Sequence, residues 1–183
     1  MGQNTSSERP AMPKISTSPS LRRPLYTAEE RVRRNGTKWT LVQGLLAPLQ
    51  FLAFAVSVVL VVRYLATGQG YEAATVSVIV KTGLLYLIMV TGAIWEKVVF
   101  GQYLLAPAFY WEDVFSFAVI TLHTAYLITL WIGVLSPSGQ MVLALAAYAT
   151  YAINAAQFIR KLRLARLDMA RLDRATSAIA VQA

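Results

Sequence analysis

Apolar residues fill four long stretches of the chain, and two of the three breaks between them are short. A helix needs about 20 mainly apolar residues to cross a bilayer. The stretches that meet this length are 41–64, 73–95, 114–135 and 140–159. The chain is therefore predicted to be all-α, a polytopic membrane protein with four transmembrane helices in an antiparallel bundle over 41–159.

The breaks between the stretches indicate how the helices connect. Residues 66–70 and 136–139 are short and contain Gly, Ser or Pro, which is typical of tight turns. The connection 96–113 is longer and holds a dense set of aromatic residues. Because four spans return the chain to its starting side, both termini are expected on the same side of the membrane.

Charge is scarce but unevenly placed. Only 14% of the 183 residues are charged, yet the net charge is +8. Residues 1–40 hold eight basic residues against three acidic ones, and 160–183 hold six against two, so the two ends carry the whole excess. Basic residues stay on the cytoplasmic side of membranes, which predicts cytoplasmic termini. The tails have almost no aromatic residues, so membrane lipid is expected as their partner and no nucleic acid.

The segments that flank the spans have distinct compositions. Residues 1–23 are rich in Ser, Thr, Pro and Arg, which predicts a disordered basic N-terminal tail. Residues 24–40 are predicted to form a short interfacial amphipathic segment, since Thr27 and Glu30 have the spacing of a capping box for a helix that ends near Gly36. Residues 160–183 are predicted to be a basic cytoplasmic C-terminal tail.

Polar residues inside the spans are costly, which makes them candidates for function. In the third span, Glu112, Ser116, Val119, His123 and Tyr126 recur at a spacing that places them on one helix face. Further polar positions are Gln50 in the first span and Asn154 and Gln157 in the fourth. Each of these residues has a simpler interpretation as a hydrogen-bond partner between helices. Lys81 in the second span has a different simple interpretation, because its long side chain can extend to the far membrane interface.

Carboxylates bracket the aromatic connection between the second and third spans. Glu96 and Lys97 follow Trp95, and Glu112 and Asp113 follow Trp111. Crowded carboxylates at an interface of low dielectric tend to have raised pKa values, which suits a general acid. The helix macrodipole alone also favours acidic residues at this position. The chain has no cysteine, which excludes disulfides, thiol nucleophiles and zinc fingers.

Several uninterrupted strings resemble the vinyl bacteriochlorophyllide hydratase family, also called chlorophyllide 3-vinyl hydratase. The resemblance covers about residues 24–168. The strings that carry it are VQGLLAPLQF at 42–51, MVTGAIWEKVVFG at 89–101, APAFYWEDVF at 106–115, LHTAY at 122–126 and NAAQF at 154–158.

The resemblance implies a lyase that adds water across the 3-vinyl group of a magnesium chlorin. The substrate would be chlorophyllide a or 3-vinyl bacteriochlorophyllide a, and the product its 3-(1-hydroxyethyl) derivative. No dissociable cofactor is implied, because the magnesium belongs to the substrate. The family implies a multi-pass protein of the bacterial inner (intracytoplasmic) membrane. Association with a second copy or with other pigment-pathway enzymes stays open.

This chemistry gives each candidate residue a role. We expect Glu112 to donate the proton, and Glu96 or Asp113 to stabilise the cation and to deprotonate water. His123 is expected to ligate the magnesium axially or to orient water, and Lys97 to pair with the propionate. The other predicted substrate-binding residues are Trp95, Trp111, Tyr126, Gln50, Asn154 and Gln157.

Two other functions remain compatible with the same pocket. The first is a non-catalytic membrane pigment carrier or a photosystem-assembly subunit, which would bind the chlorin unchanged. The second is a haem-binding membrane subunit. A single histidine cannot form a bis-histidine haem site, so the sequence disfavours the haem alternative.

Overall fold

A computed structural model describes residues 25–182, which form five helices joined by short connections. The predicted tail 1–23 lies outside the described residues. The helices are α1 (Ala28–Gly36), α2 (Lys38–Thr67), α3 (Tyr71–Phe100), α4 (Tyr110–Ile132) and α5 (Pro137–Gln182). The predicted all-α class is confirmed for this part of the chain.

Four of the helices have segments long and apolar enough to cross a membrane. These segments are Lys38–Thr67, Tyr71–Phe100, Tyr110–Ile132 and Pro137–Leu167, and each contains most or all of one predicted span. The helix α4 ends before residue 135, the predicted end of the third span, because Gly133 adopts φ 66° and terminates it. A left-handed glycine is a common way to end a helix.

The short helix α1 begins with the predicted capping box. The Thr27 hydroxyl accepts a hydrogen bond from the backbone N–H of Glu30 at 3.2 Å, and the Glu30 carboxylate accepts one from the backbone N–H of Thr27 at 2.8 Å. These two bonds satisfy donors that a helix start leaves free. The prediction of a helix that ends at Gly36 is confirmed.

The long helices form two closely packed pairs. Along α2 and α3, residue numbers rise in one helix as they fall in the other, and the same holds for α4 and α5. The side-chain contacts are Gln43 with Thr91 and Ser57 with Ser77 in the first pair, and Ser116 with Asn154 and Thr129 with Gln140 in the second. Contacts between α3 and α4 are sparser. Side-chain hydrogen bonds still join these two helices, between Lys81 and His123 and between Tyr86 and Thr124.

The interior of the bundle is polar as well as apolar. The main apolar cluster includes Val61, Val78, Tyr126, Met141 and Tyr148. The buried face of α4 contains all the residues that the spacing predicted, from Glu112 to Tyr126. Many large apolar side chains instead lie exposed on the outside of the spans, as contact with lipid tails requires.

Candidate active site

Three carboxylates meet at the end of the bundle where α3 ends and α4 begins. Gly101, at φ 86°, terminates α3, and the connection then brings the chain back so that α4 starts beside the end of α3. Glu96 is 6% exposed, Glu112 is 7% exposed and Asp113 is 3% exposed. The predicted meeting of these residues is therefore present, and all three lie in the protein interior.

The carboxyl groups of Glu96 and Asp113 lie close enough to interact electrostatically. Because two ionised carboxylates repel each other in a buried site, the pair favours a state that holds one proton. Asp113 also accepts a hydrogen bond from the backbone N–H of Leu105 at 2.7 Å, whereas Glu96 accepts a longer one from Ala106 at 3.4 Å. The shorter bond and the position at a helix N-terminus favour the negative charge on Asp113. The proton therefore belongs on Glu96.

The connection that supplies these backbone donors is strained. Leu105 adopts φ 59°, a left-handed conformation that costs a non-glycine residue about 1–2 kcal/mol. Its N–H bond to Asp113 holds the conformation. Strain of this kind concentrates at functional sites, where surrounding contacts impose it.

Glu112 forms an ion pair with a different partner. Its carboxylate lies 2.5 Å from Nζ of Lys161 on α5. The Lys161 side chain is 25% exposed, and its Nζ is 4.8 Å from the centre of the Phe109 ring. Sequence reasoning missed Lys161, because it treated the charges after residue 160 as membrane-flanking. The spacing of Asn154, Gln157 and Lys161, three and four residues apart, was the available signal.

Aromatic rings surround the carboxylates on one side. We call this set the aromatic wall, and its members are Tyr26, Trp95, Phe100, Phe109 and Phe158. Tyr26 stacks on Phe100 at 5.9 Å between ring centres, and Phe109 stacks on Phe158 at the same distance. Burial raises the pKa of the Tyr26 hydroxyl, so it stays protonated at neutral pH. The sequence did not identify Tyr26 as a site residue, because it lies before the first helix, where helix spacing assigns no face.

Two predicted substrate-binding residues lie at the surface instead. Trp111 is 67% exposed and contacts the ring of Tyr110. Lys97 donates a hydrogen bond to the carbonyl of Gly101 at 2.8 Å, and its Nζ lies 5.2 Å from the centre of the Tyr103 ring. Both residues flank the carboxylates without contacting them.

Trp95 lies in the aromatic wall, and its indole N–H donates a hydrogen bond to the Thr40 hydroxyl at 3.0 Å. This bond connects the end of α3 to the start of α2. The indole nitrogen of Trp95 is therefore occupied within the protein, and only its ring surface remains for contact with a ligand.

His123 belongs to a separate polar group deeper in the bundle. Its Nδ1 lies 2.8 Å from the carbonyl of Val119, which can only accept, so Nδ1 carries the proton. Its Nε2 therefore accepts the hydrogen bond from Nζ of Lys81 at 2.9 Å. Neither His123 nor Lys81 is exposed at all. The interpretation that Lys81 extends to the far interface is wrong, because the ammonium group lies inside, 3.8 Å from the centre of the Tyr151 ring.

The histidine and the carboxylates are far apart along α4. Ten residues separate Asp113 from His123, which corresponds to about 15 Å of helix. Tyr126 lies nearly one turn further on and is buried in the main apolar cluster. The residues predicted on one face thus share that face but divide into two groups.

The carboxamides form a third group between these two. Asn154 donates a hydrogen bond to the Ser116 hydroxyl at 2.9 Å, and that hydroxyl donates one to the backbone carbonyl of Glu112 at 2.9 Å. Four buried carboxamide atoms have no hydrogen-bond partner within the described part of the chain: Nε2 and Oε1 of Gln50, Oδ1 of Asn154 and Oε1 of Gln157. Such atoms are costly to bury and are often satisfied by a bound molecule.

A buried cluster of carboxyl groups, set at one end of a bundle of membrane-length apolar helices, is typical of a membrane protein with an acid/base site. A family model described as 2-vinyl bacteriochlorophyllide hydratase matches residues 26–164. The chain belongs to this family.

Two curated relatives carry the same description. A 2-vinyl bacteriochlorophyllide hydratase of Rhodobacter capsulatus is 68% identical over 166 residues, which cover 90% of this chain and 95% of the relative. One of Cereibacter sphaeroides is 70% identical over 155 residues, which cover 84% of this chain and 96% of the relative. No solved structure matches the chain.

Proposed function

We propose that this chain is a hydro-lyase that adds water across the 3-vinyl group of chlorophyllide a or 3-vinyl bacteriochlorophyllide a. The product is the 3-(1-hydroxyethyl) derivative. We take the vinyl group numbered 2 in the relatives' names to be this substituent under another numbering convention. The observation that carries the proposal is the buried Glu96–Asp113 carboxyl pair in a chain of this family.

Hydration of an alkene requires an acid that still holds its proton in an apolar site. We assign this role to Glu96, because the proton of the carboxyl pair belongs on it. Glu112 was the donor expected from the sequence, but its ion pair with Lys161 favours the ionised form. Glu112 and Asp113 then supply negative charge near the reacting group.

The proposed reaction has two steps, and these residues supply and take back the proton that it uses. The π electrons of the vinyl group form a bond between its terminal carbon and the Glu96 proton, which leaves a cation on the internal carbon, delocalised into the macrocycle. The water oxygen then bonds to the internal carbon, and the proton that it loses returns to the Glu96–Asp113 pair. The carboxylates stabilise the cation electrostatically. No oxidant is consumed, and we propose that no dissociable cofactor is needed.

The boundary between α3 and α4, beside the start of α4, is the proposed route for the pigment. A flat macrocycle approaching from the lipid can insert one edge there and bring its vinyl group to Glu96. Trp111 and Phe115 present exposed apolar surface beside the start of α4 and are suited to contact the ring. Trp95 offers its ring from the aromatic wall. We propose that Lys97, at the surface, pairs with the propionate carboxylate.

His123 is poorly placed to ligate magnesium during this reaction. About 15 Å of helix separates it from Asp113, which is more than the distance from the magnesium to the edge of a chlorin ring. Both of its ring nitrogens are also engaged, by Val119 and Lys81. We therefore assign His123 and Lys81, together with Tyr126, to interior packing.

We further propose an antiparallel bundle in the bacterial inner (intracytoplasmic) membrane, with both termini in the cytoplasm. The opposed residue numbering of the contacts along α2–α3 and α4–α5 supports the antiparallel order. The basic tails support the orientation. Contact with lipid and association with a second copy or other pigment enzymes stay predictions.

The deciding experiment uses the purified protein in lipid nanodiscs with chlorophyllide a in ¹⁸O-labelled water. We expect mass spectrometry to find one ¹⁸O atom in a hydroxyethyl product, and a parallel reaction in deuterated water to place one deuterium on the new methyl carbon. The Glu96→Gln variant is the control without the acid. Tight stoichiometric binding of unchanged pigment would instead identify a carrier or assembly subunit. A redox-active Soret band in the purified protein, with no chlorin turnover, would identify a haem protein.

A further inference from the structure

A stripe of polar side chains leads from the carboxylates into the bundle. We call it the carboxamide column, and its members are Gln50, Ser116, Asn154 and Gln157. Gln50 is 1% exposed and Asn154 is 8% exposed, so both are shielded from solvent. Each has at least one polar atom without a partner in the described part of the chain.

Helix register brings the members of the column together. The ring centres of Phe54 on α2 and Tyr151 on α5 are 5.0 Å apart. The hydroxyl of Ser57 on α2 bonds to that of Tyr148 on α5, so numbering rises along α2 as it falls along α5. One turn beyond Phe54, Gln50 is therefore level with residues 154–155. Asn154 bonds directly to Ser116 on α4. Gln157 lies nearly one turn beyond Asn154, on the way to the carboxylates.

The column ends at the acid/base site. Asn154, Gln157 and Lys161 are spaced three and four residues apart, so they share one face of α5. Lys161 forms the ion pair with Glu112. On α4, Ser116 lies one turn after Glu112, and its hydroxyl donates a hydrogen bond to the backbone carbonyl of Glu112. Ser116 and Asn154 thus connect Glu112 to the bundle interior, and helix spacing places Gln157 between Asn154 and Lys161 on α5.

The unpartnered atoms indicate what the column binds. Asn154 uses its amide N–H on Ser116, so its free atom is the acceptor Oδ1. With Oε1 of Gln50 and Oε1 of Gln157, three buried acceptor atoms in the described part of the chain lack a partner, as does the donor nitrogen Nε2 of Gln50. The carbonyl and carboxylate substituents of a chlorin only accept hydrogen bonds, so they would leave these three acceptors without a donor. Water both donates and accepts, and it takes about 2–4 polar partners when buried.

We propose that the carboxamide column holds the water that the hydration reaction consumes. The inference rests on the proposed function and adds the location of the second substrate. The three carboxyl groups are only 3–7% exposed, so a water molecule that reacts there has to be retained by protein groups. Water held by Asn154 lies beside Ser116, about one helical turn from Asp113 of the carboxyl pair that receives its proton.

A product ratio tests this proposal independently of total activity. Methanol added to the medium competes with water for the cation: its oxygen bonds to the internal carbon, and its hydroxyl proton goes to the carboxyl pair, which gives a 1-methoxyethyl chlorin. We expect the wild type to exclude most methanol, because the column is proposed to hold water. The Gln157→Ala variant removes side-chain volume, so the methoxyethyl fraction is expected to rise about five- to tenfold, the factor associated with one altered hydrogen-bond position.

A matched pair of variants separates water binding from pigment binding. Gln50→Leu places an apolar side chain in the column, and we expect kcat to fall about five- to tenfold with an unchanged KM for the chlorin. Gln43→Leu is the control, because Gln43 lies one heptad earlier on the same helix and already bonds to Thr91 at 2.8 Å. This control is expected to leave the ratio of products and the chlorin KM unchanged.

The outcomes distinguish the two proposals. An active wild type whose Gln157→Ala variant keeps the same product ratio would overturn the water column and leave the hydratase function intact. A raised chlorin KM with unchanged kcat in Gln50→Leu would show that the column binds pigment, which also overturns it. A wild type that incorporates no ¹⁸O would refute the hydratase function and the column together.

Discussion

The assignment of Glu96 as the acid makes a prediction that the sequence alone did not make. In Glu96→Gln, the side chain keeps its length, its amide N–H can donate to Asp113, and its carbonyl can accept from Ala106. The fold is therefore retained while the transferable proton is lost. General acid catalysis contributes about 10²- to 10⁴-fold, so kcat is expected to fall by that factor with little change in chlorin KM.

The Glu112→Gln variant is compared with Glu96→Gln to decide which of the two residues donates the proton. The change removes a charge-assisted hydrogen bond to Lys161, which is worth about 1.5–3 kcal/mol. If all of that energy acted on the cation, the rate would fall about 10- to 150-fold. The loss in Glu112→Gln is thus expected to be smaller than the loss in Glu96→Gln.

The assay is single-turnover conversion of chlorophyllide a in nanodiscs, quantified by chromatography and mass spectrometry. Quenching of tryptophan fluorescence by the bound pigment provides a binding control for each variant. Near wild-type turnover in Glu96→Gln would refute the assignment. A larger loss in Glu112→Gln than in Glu96→Gln would return the donor role to Glu112.

Three further predictions concern residues away from the proton transfer. Lys81→Met leaves Nε2 of His123 without its partner and is expected to lower the free energy of unfolding by about 1–3 kcal/mol, measured by reversible unfolding in mixed micelles. His123→Phe is expected to weaken the binding of magnesium and metal-free chlorins equally in fluorescence titrations, because Nε2 already accepts from Lys81. Tyr26→Ala removes a ring from the aromatic wall and is expected to destabilise the protein by about 3–5 kcal/mol, whereas Tyr26→Phe keeps the ring and is expected to cost less than about 1 kcal/mol.

Each of these predictions has an outcome that contradicts it. If Lys81→Met leaves the free energy of unfolding unchanged, the Lys81–His123 hydrogen bond contributes no net stability. If the hydrogen bond does stabilise the protein, adding His123→Leu to Lys81→Met should recover part of the lost stability. A selective loss of magnesium chlorins in His123→Phe would restore the axial-ligand role. Equal destabilisation by both Tyr26 substitutions would place the importance of Tyr26 in its hydroxyl and not in its ring.

Helix periodicity predicted the local features of this protein correctly. The 3.6-residue repeat placed Glu112, Ser116 and His123 on one face of α4, and all three are buried there. The spacing of Thr27 and Glu30 predicted the capping box. These features depend on residues within a few turns of each other, so the sequence contains the information that decides them.

The sequence did not predict which side chains contact each other across different helices. From the sequence, Lys161 was interpreted as a charge that flanks the membrane. Only the packing of α5 against α4 brings it to Glu112. From the sequence, Lys81 was interpreted as a residue whose side chain reaches the membrane interface. Only the packing of α3 against α4 shows that it is buried and bonded to His123. A long flexible side chain has many possible partners, and the helix register selects one.

The sequence by itself determined the number of apolar helices, the charged flanks and the resemblance to the hydratase family. The tertiary structure decided which carboxyl group keeps its proton, because that depends on the hydrogen bonds from Leu105 and Ala106 and on the contact between Glu96 and Asp113. It also decided which carboxamides are left unpartnered. Apolar periodicity acts along one helix, whereas protonation and polar satisfaction depend on atoms that only folding brings within hydrogen-bond distance.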